Sequence, residues 1–228
     1  MLDAVDRFLG QGIEGIIVIA TVDTAVAALA HVPSEVPLVA VGCGTRASVT
    51  SVAIDNAAGA AAATRHLLSL GHRTVYHVAG PRSCLDAKER VDGWRQALRD
   101  AGAPEPAVLA GDWSASSGYE LGSQLAAGEP GLTAVFCGND TMALGVIRAL
   151  SERGLRVPGD VSVIGFDDVP EAAYYIPPLT TVRPDFDAVA AASIDLLLAQ
   201  ITSGHRLGDR RVLTPTLISR ESVAPPRS

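Results

Sequence analysis

TAVFCGNDTMALGVIRALSERGLRVPGDVSVIGFDD, residues 133–168, holds two short apolar runs around one amphipathic stretch. TAVFCG (133–138) and VSVIGF (161–166) are apolar almost throughout, as strands buried on both faces must be. NDTMALGVIRALSERG (139–154) between them has the pattern of an amphipathic helix that ends on a glycine. Apolar strands separated by a covering helix point to a parallel sheet. The question is how far the pattern extends.

It extends almost from end to end. IEGIIVIA (13–20), PLVAV (37–41), TVYHVAG (74–80) and AVLAG (107–111) read as further buried strands. NAAGAAAATRHLLSLGH (56–72) is helical, carries Leu67 and Leu68, and terminates at Gly71. KERVDGWRQALRDAG (88–102) sets Val91, Trp94 and Leu98 on one face and stops at Gly102. SGYELGSQLAAG (117–128) follows the same design, and a second alanine-rich helix is expected over 185–202. Short strands RVLTP (211–215) and TLISRES (216–222) close the chain. The expected fold is α/β and doubly wound. LDAVDRFLGQG (2–12) looks like a helix feeding straight into a strand, whereas such a domain opens on a strand, so its first unit is expected to be missing. With no linker between halves, two domains would require a chain that weaves between them.

Composition narrows the function. The 228 residues are 48% hydrophobic and 19% charged, with a formal charge of −7 and Lys88 as the sole lysine, so they lack the basic stripe that grips phosphates. Cys43, Cys84 and Cys137 have neither metal-ligand nor disulfide spacing, which suits a reducing, cytoplasmic setting. No apolar run is read as a membrane span, and no signal-peptide pattern is read at Met1.

Open parallel sheets bind ligands outside the carboxyl ends of their strands. That edge collects Asp112 and Trp113 after 107–111, Asn139 and Asp140 after 133–138, and Asp167 and Asp168 after 161–166. The loop GPRSCLDAKER (80–90) adds Lys88 and Arg90 in the early turns of its helix. Arginine and asparagine can bracket vicinal hydroxyls, aspartate accepts from them, and an indole covers the apolar face of a sugar. Each residue also has a plainer reading. Arg90 can be an ordinary ion-paired side chain, Trp113 can be packing, and Ser114 or Ser116 can cap a helix. Asn139 or Asp140 can likewise be a cap, and of the adjacent pair Asp168 is the better candidate for a loop-former. Catalysis fits poorly. Adjacent carboxylates do not flank a glycosidic bond, no nucleophile elbow exists, and His31, His66, His72, His77 and His205 have no metal spacing. Neither a dinucleotide fingerprint nor a P-loop is present, so no cofactor or metal is expected.

An ordered series of phrases carries a resemblance: LLSLGH (67–72), AGP (79–81), GW (93–94), GDWSASSG (111–118), NDTMALG (139–145), SERGLRV (151–157), VSVIGFDD (161–168) and YIPPLTT (175–181). In this the chain resembles the effector-binding core of the LacI/GalR family of bacterial transcription regulators, from about residue 1 to about 222. The resemblance implies a periplasmic-binding-protein-like fold of type I, with two doubly wound parallel-sheet subdomains joined by three crossovers. The first, incomplete, takes 1–54 and 186–213; the second takes 55–182 and 214–222; residues 223–228 are a tail. It implies an effector, a sugar or galactoside, in the cleft between subdomains. Arg90, Asn139 and Asp167 would contact hydroxyls, with Trp113 and Phe186 as apolar walls. It also implies a homodimer through Leu144, Arg148, Tyr174 and Tyr175, and operator DNA reached only through a helix-turn-helix headpiece that this chain does not supply. Gly42 and Pro184 stand where family members have polar side chains near the sugar, so lactose and allolactose are not assigned. The other reading with the same fold is a sugar-binding receptor of a transporter.

Overall fold

The computed structural model describes residues 7, 10, 12–43 and 49–227; the helix expected over 2–12 lies, but for three residues, outside them. In chain order come β1 (Ile16–Ile19), α1 (Asp23–Leu29), β2 (Leu38–Val41), β3 (Ser51–Ile54), α2 (Asn56–Ser69) and β4 (Tyr76–Ala79). Next are α3 (Leu85–Asp100), β5 (Leu109–Ala110), α4 (Ala115–Gly128), β6 (Ala134–Cys137), α5 (Asp140–Glu152) and β7 (Ser162–Phe166). A 3-10 turn (Pro170–Tyr174), β8 (Thr180–Arg183), α6 (Phe186–Ser203), β9 (Arg210–Leu213) and β10 (Thr216–Ile218) complete the chain. The chain passes repeatedly between two compact units. Met1–Asp55, Ser83–Asp86 and Asp185–Thr214 form the first; Asn56–Arg82, Ala87–Pro184 and Pro215–Ser228 form the second.

Among the described residues, the first unit has a four-stranded parallel sheet in the order β1-β2-β3-β9. Alternation along β2 sends Leu38 and Ala40 to a cluster with Leu29, Val32 and Val36, and Val39 to the opposite face against Val189, Ala192 and Leu196 of α6. Helix α6 is 18 residues long with a mean hydropathy of 1.3, which reaches the length and composition of a membrane span. This departs from the expectation that no apolar run is of that kind. Its Val189, Ala192 and Leu196 are buried against the sheet, which accounts for part of that apolar character. Gln200 on the same helix is fully buried, donating to Leu38 O and accepting from Leu38 N.

The second unit has six strands in the order β10-β8-β7-β6-β4-β5, all parallel except β10, which runs antiparallel on the edge. Val78, Val135, Cys137 and Val163 face a cluster with α4 and α5, while Ala134, Phe136, Ile164 and Phe166 face α2 and α3. Trp94 of α3 is wholly buried and its indole N–H donates to Val75 O at 2.8 Å. Helices α4 and α5 press backbone to backbone. A Cβ added at Gly145 would lie 2.0 Å from Ala115 O, and one at Gly118 would lie 2.2 Å from Met142 O. Neither neighbour can rotate away, so Gly145→Val is expected to cost about 3 kcal/mol or more by overpacking. Urea denaturation checks this against Thr141→Val, which changes an exposed site on the same helix and should stay within about 0.5 kcal/mol.

Two strands escape the apolar-run criterion. β3 and β8 have a fully buried Ser51 and fully buried Thr180 and Thr181, respectively, and the segment before β3 adds a buried Thr50. Thr180 is satisfied from the tail, since its N–H donates to Ser222 Oγ at 2.8 Å and its Oγ1 accepts Arg220 N–H at 2.9 Å. Conversely, the strand read over 107–111 narrows to Leu109–Ala110.

Candidate functional site

Read from one edge, β5-β4-β6-β7-β8 is a doubly wound order whose direction of winding reverses between β4 and β6. The crevice outside the carboxyl ends at such a reversal is where open α/β sheets bind ligands. Gly80 follows β4 there and Gly138 follows β6, with Gly138 N–H bonded to Val78 O at 2.7 Å. The indole of Trp113 lies over both: a Cβ would come 2.1 Å from its Cη2 at Gly80 and 3.2 Å from its Cζ3 at Gly138. Only glycine at position 80 leaves the ring its place.

Arg90 reaches the same point from α3. Its Nε donates to Asn56 Oδ1 at 2.9 Å, one terminal nitrogen donates to Gly138 O, and the other lies 3.4 Å from Asp167 Oδ1. The guanidinium carbon sits 3.6 Å from the Phe166 ring centre and 5.5 Å from that of Trp113. Arg90 is 7% exposed, so it is a fixed part of the wall. The bond to Asp167 is long, and the Asp167 side chain keeps 29% of its surface in solvent. These two facing groups are the ones a hydroxyl can bridge.

Asn139 sits at the same edge, but its carboxamide is committed. Oδ1 accepts Met142 N–H as the N-cap of α5, and Nδ2 donates to Trp113 O at 3.1 Å. The capping alternative therefore describes its oxygen, and its nitrogen holds the tryptophan backbone. Ser114 caps α4 by accepting Ser117 N–H. Asp112 accepts from both the N–H and the hydroxyl of Ser114, and hydrogen bonds from Ser114 and Ser117 bring its carboxyl down to about 2.

The adjacent aspartates do different work. Asp168 is neither a helix cap nor free: its carboxylate, 4% exposed, lies between Arg183 and Arg220, the latter at 2.6 Å. Among the described non-glycine residues, positive φ occurs at Trp113 (75°), Asp167 (105°) and Asp168 (51°) only. All three lie in loops at this one edge, held in a backbone conformation that L side chains rarely adopt. Beneath that loop Asp140 is fully buried, accepting Thr181 Oγ1 at 2.5 Å and Val169 N–H at 2.9 Å. Burial pushes its carboxyl up to about 7; the hydrogen bonds from Thr181 and Val169 oppose this, and the charges of Asp167 and Asp168 add to it. Burial likewise holds His77 down at about 4, with its ring stacked 4.7 Å from Phe136 and Nδ1 bonded to Phe136 O.

The structure thus brings Arg90, Trp113, Asn139 and Asp167 to one edge of the second unit. Phe186 opens α6 in the first unit and is 59% exposed. Sequence reasoning missed Asn56, Phe166, Gly80 and the buried role of Asp140. Asn56 reads as one more helix start, and nothing in a single sequence ties it to an arginine 34 positions away. Among the described residues no group of three His, Cys, Asp or Glu could hold a metal ion.

The model of the periplasmic binding protein-like domain matches residues 64–223. The lactose operon repressor of Escherichia coli (strain K12) is 34% identical over 226 residues, which is 99% of this chain and 62% of that protein. The chain belongs to the LacI/GalR family. A dimeric Lac repressor superimposes on the family fold seen here with a TM-score of 0.91 at 32% identity, covering 98% of this chain and 83% of the other. A complex of the transcriptional regulator CelR with cellobiose gives 0.88 at 32% identity, covering 96% and 69%. The chain therefore spans about three-fifths of the length of the LacI/GalR repressor it matches. In LacI/GalR terms it corresponds to the effector-binding core, with a periplasmic-binding-protein-like α/β fold.

Proposed function

We propose that this chain is the sugar-sensing core of a LacI-type transcriptional regulator and that its second unit grips a polyol without reacting with it. One observation carries the reading. A buried arginine is locked on three sides while its remaining edge faces a half-open carboxylate beside an indole. Arg90 and Asp167 offer a donor and an acceptor to neighbouring hydroxyls, and Trp113 offers a flat apolar surface to ring C–H groups. Asn139 acts chiefly by holding Trp113. Asp168, the carboxylate adjacent to Asp167, is bound to two arginines and does not pair with Asp167 as an acid/base partner, so the chain is read as a sensor and not an enzyme.

The sensor is read as cytoplasmic and homodimeric. Leu144 is 43% exposed and Tyr174 is 84% exposed, apolar surface that association would cover, with Arg148 one turn after Leu144 on α5 and the half-buried Tyr175 bonded to Asp140 O. Effector binding would shift operator affinity through a helix-turn-helix segment outside these residues, since their net charge of −7 suits no DNA surface. The matched domain description also fits a transporter's solute receptor. Sedimentation separates the two, because a receptor stays monomeric at high concentration.

Titration of tryptophan fluorescence with cellobiose, galactosides and other saccharides tests ligand class. A saturable change that Trp113→Phe removes is expected. No response to any saccharide, or one that survives Trp113→Phe, would contradict the assignment.

A further inference from the structure

The loop after β7 carries Asp167 and is tied down at three places. Asp167 N–H donates to Val182 O at 2.8 Å. The Asp168 carboxylate is held by Arg183 and Arg220. Beyond the two positive-φ residues, Val169 N–H donates to Asp140 Oδ2. That third tie ends on a carboxyl inside the protein. Asp140 is wholly buried, and a Cβ at Gly165 would stand 2.1 Å from its Oδ1, so β7 carries glycine where the carboxyl needs room.

We propose that Asp140 is a positioning residue for Asp167: its ionised form anchors the loop, and its neutral form leaves it slack. The proposal rests on the reading of Asp167 as a ligand contact, but its test needs no ligand. As a carboxylate, Asp140 accepts from both Val169 N–H and Thr181 Oγ1–H. When Asp140 takes up a proton, one oxygen becomes a donor that must be satisfied by Thr181, whose own hydroxyl proton then turns to another acceptor. Val169 N–H is left with a neutral, weaker acceptor.

The surroundings make that protonation accessible. Asp167 and Asp168 face Asp140 from the loop and disfavour a further negative charge. Burial raises the pKa of the Cys137 thiol at the end of β6 and the charge of Asp140 adds to this, while the Tyr175 hydroxyl donates to the Asp140 backbone carbonyl. Glu171 acts on Tyr175 and adds negative charge to the region. The nearby cations are spent elsewhere: Arg90 faces Asp167, and Arg183 and Arg220 hold Asp168. Among the described residues no ion pair to Asp140 offsets its burial.

Stability and loop order should therefore run in opposite directions. Folding raises this carboxyl from its ordinary 3.8 to about 7, so the folded chain binds the proton more tightly. That contribution to stability is full below about 4 and falls as pH rises to about 7, while the Val169 bond strengthens over the upper part of the same range. Carbon-13 NMR of the labelled carboxyl, followed from pH 5 to 8.5 with the Val169 and Asp167 amides, reads both. We expect a carboxyl midpoint near 7, the two amides moving with it, and loss of both amide titrations in Asp140→Asn. The Trp94 indole should stay in place in that variant and show that it is folded. If the variant does not fold, the three wild-type curves decide. A carboxyl still ionised at pH 5, or one that titrates without the amides following, would overturn the proposal.

Discussion

Replacing Arg90 with alanine is expected to cost roughly 3–5 kcal/mol of folding stability and to abolish any saccharide response. The size follows from what the side chain satisfies. Its removal strands Gly138 O in the interior, takes one hydrogen bond from Asn56 Oδ1 and the Arg90 charge from Asp167, and opens a void over Phe166. Each buried polar group left without a partner costs about 1–3 kcal/mol, and the void adds to that. Arg90→Lys keeps the charge but not the planar fork, so it cannot serve Nε and both terminal positions together. It should recover less than half of the loss. Urea denaturation measures both variants, and a cost below about 1 kcal/mol for alanine would mean that Arg90 does not organise this edge.

The second large effect is expected at Asp168. Its carboxylate is almost fully buried between Arg183 and Arg220, and alanine there leaves two cations facing each other. Arg220 side-chain exposure is 17%, so its charge would be poorly solvated, while Arg183 at 52% can turn to water. A loss of about 2–4 kcal/mol is expected, below the full cost of breaking a buried pair because of that partial exposure. Asp168→Asn separates charge from backbone. Asparagine tolerates the φ of 51° as aspartate does, so the difference between Asp and Asn reports the charge, while that between Asn and Ala combines the left-handed backbone with the acceptor that the carboxamide still offers the arginines. The pair of variants should also loosen Arg220 from Leu179 O, visible as faster amide exchange in the C-terminal segment.

Which parts of this were legible in the sequence follows from what a single chain displays. Period and apolarity expose strands such as Ala134–Cys137 and Ser162–Phe166, buried on both faces, and glycines at 71 and 102 with φ of 100° and 62° mark helix ends. β8 stayed hidden because its polar residues are buried by partners far along the chain, Asp140 for Thr181 and the tail for Thr180. The site edge could be assembled because each of its four side chains follows a strand or lies in the early turns of the next helix. What those side chains do there could not. Asn139 spends its amide on a cap and on Trp113, and Asp168 is a structural ion-pair centre, because a loop carboxylate looks the same in sequence whether it meets a ligand or two arginines. The resemblance to LacI/GalR cores named the edge residues but gave no sign of Asn56 beneath Arg90.

The chain has two tryptophans, and they provide a control for each other. Trp94 is wholly buried with its N–H on Val75 O, whereas Trp113 lies half-buried over Gly80 at the proposed edge. Nitrogen-15 spectra of the uniformly labelled protein, titrated with a saccharide shown by calorimetry to bind, resolve both indoles and the Arg90 Nε–H. The Trp113 indole and the Arg90 signal are predicted to shift together and saturate at the calorimetric affinity, with Trp94 unmoved. A saccharide that binds while Trp113 and Arg90 stay still would show that the polyol is held elsewhere.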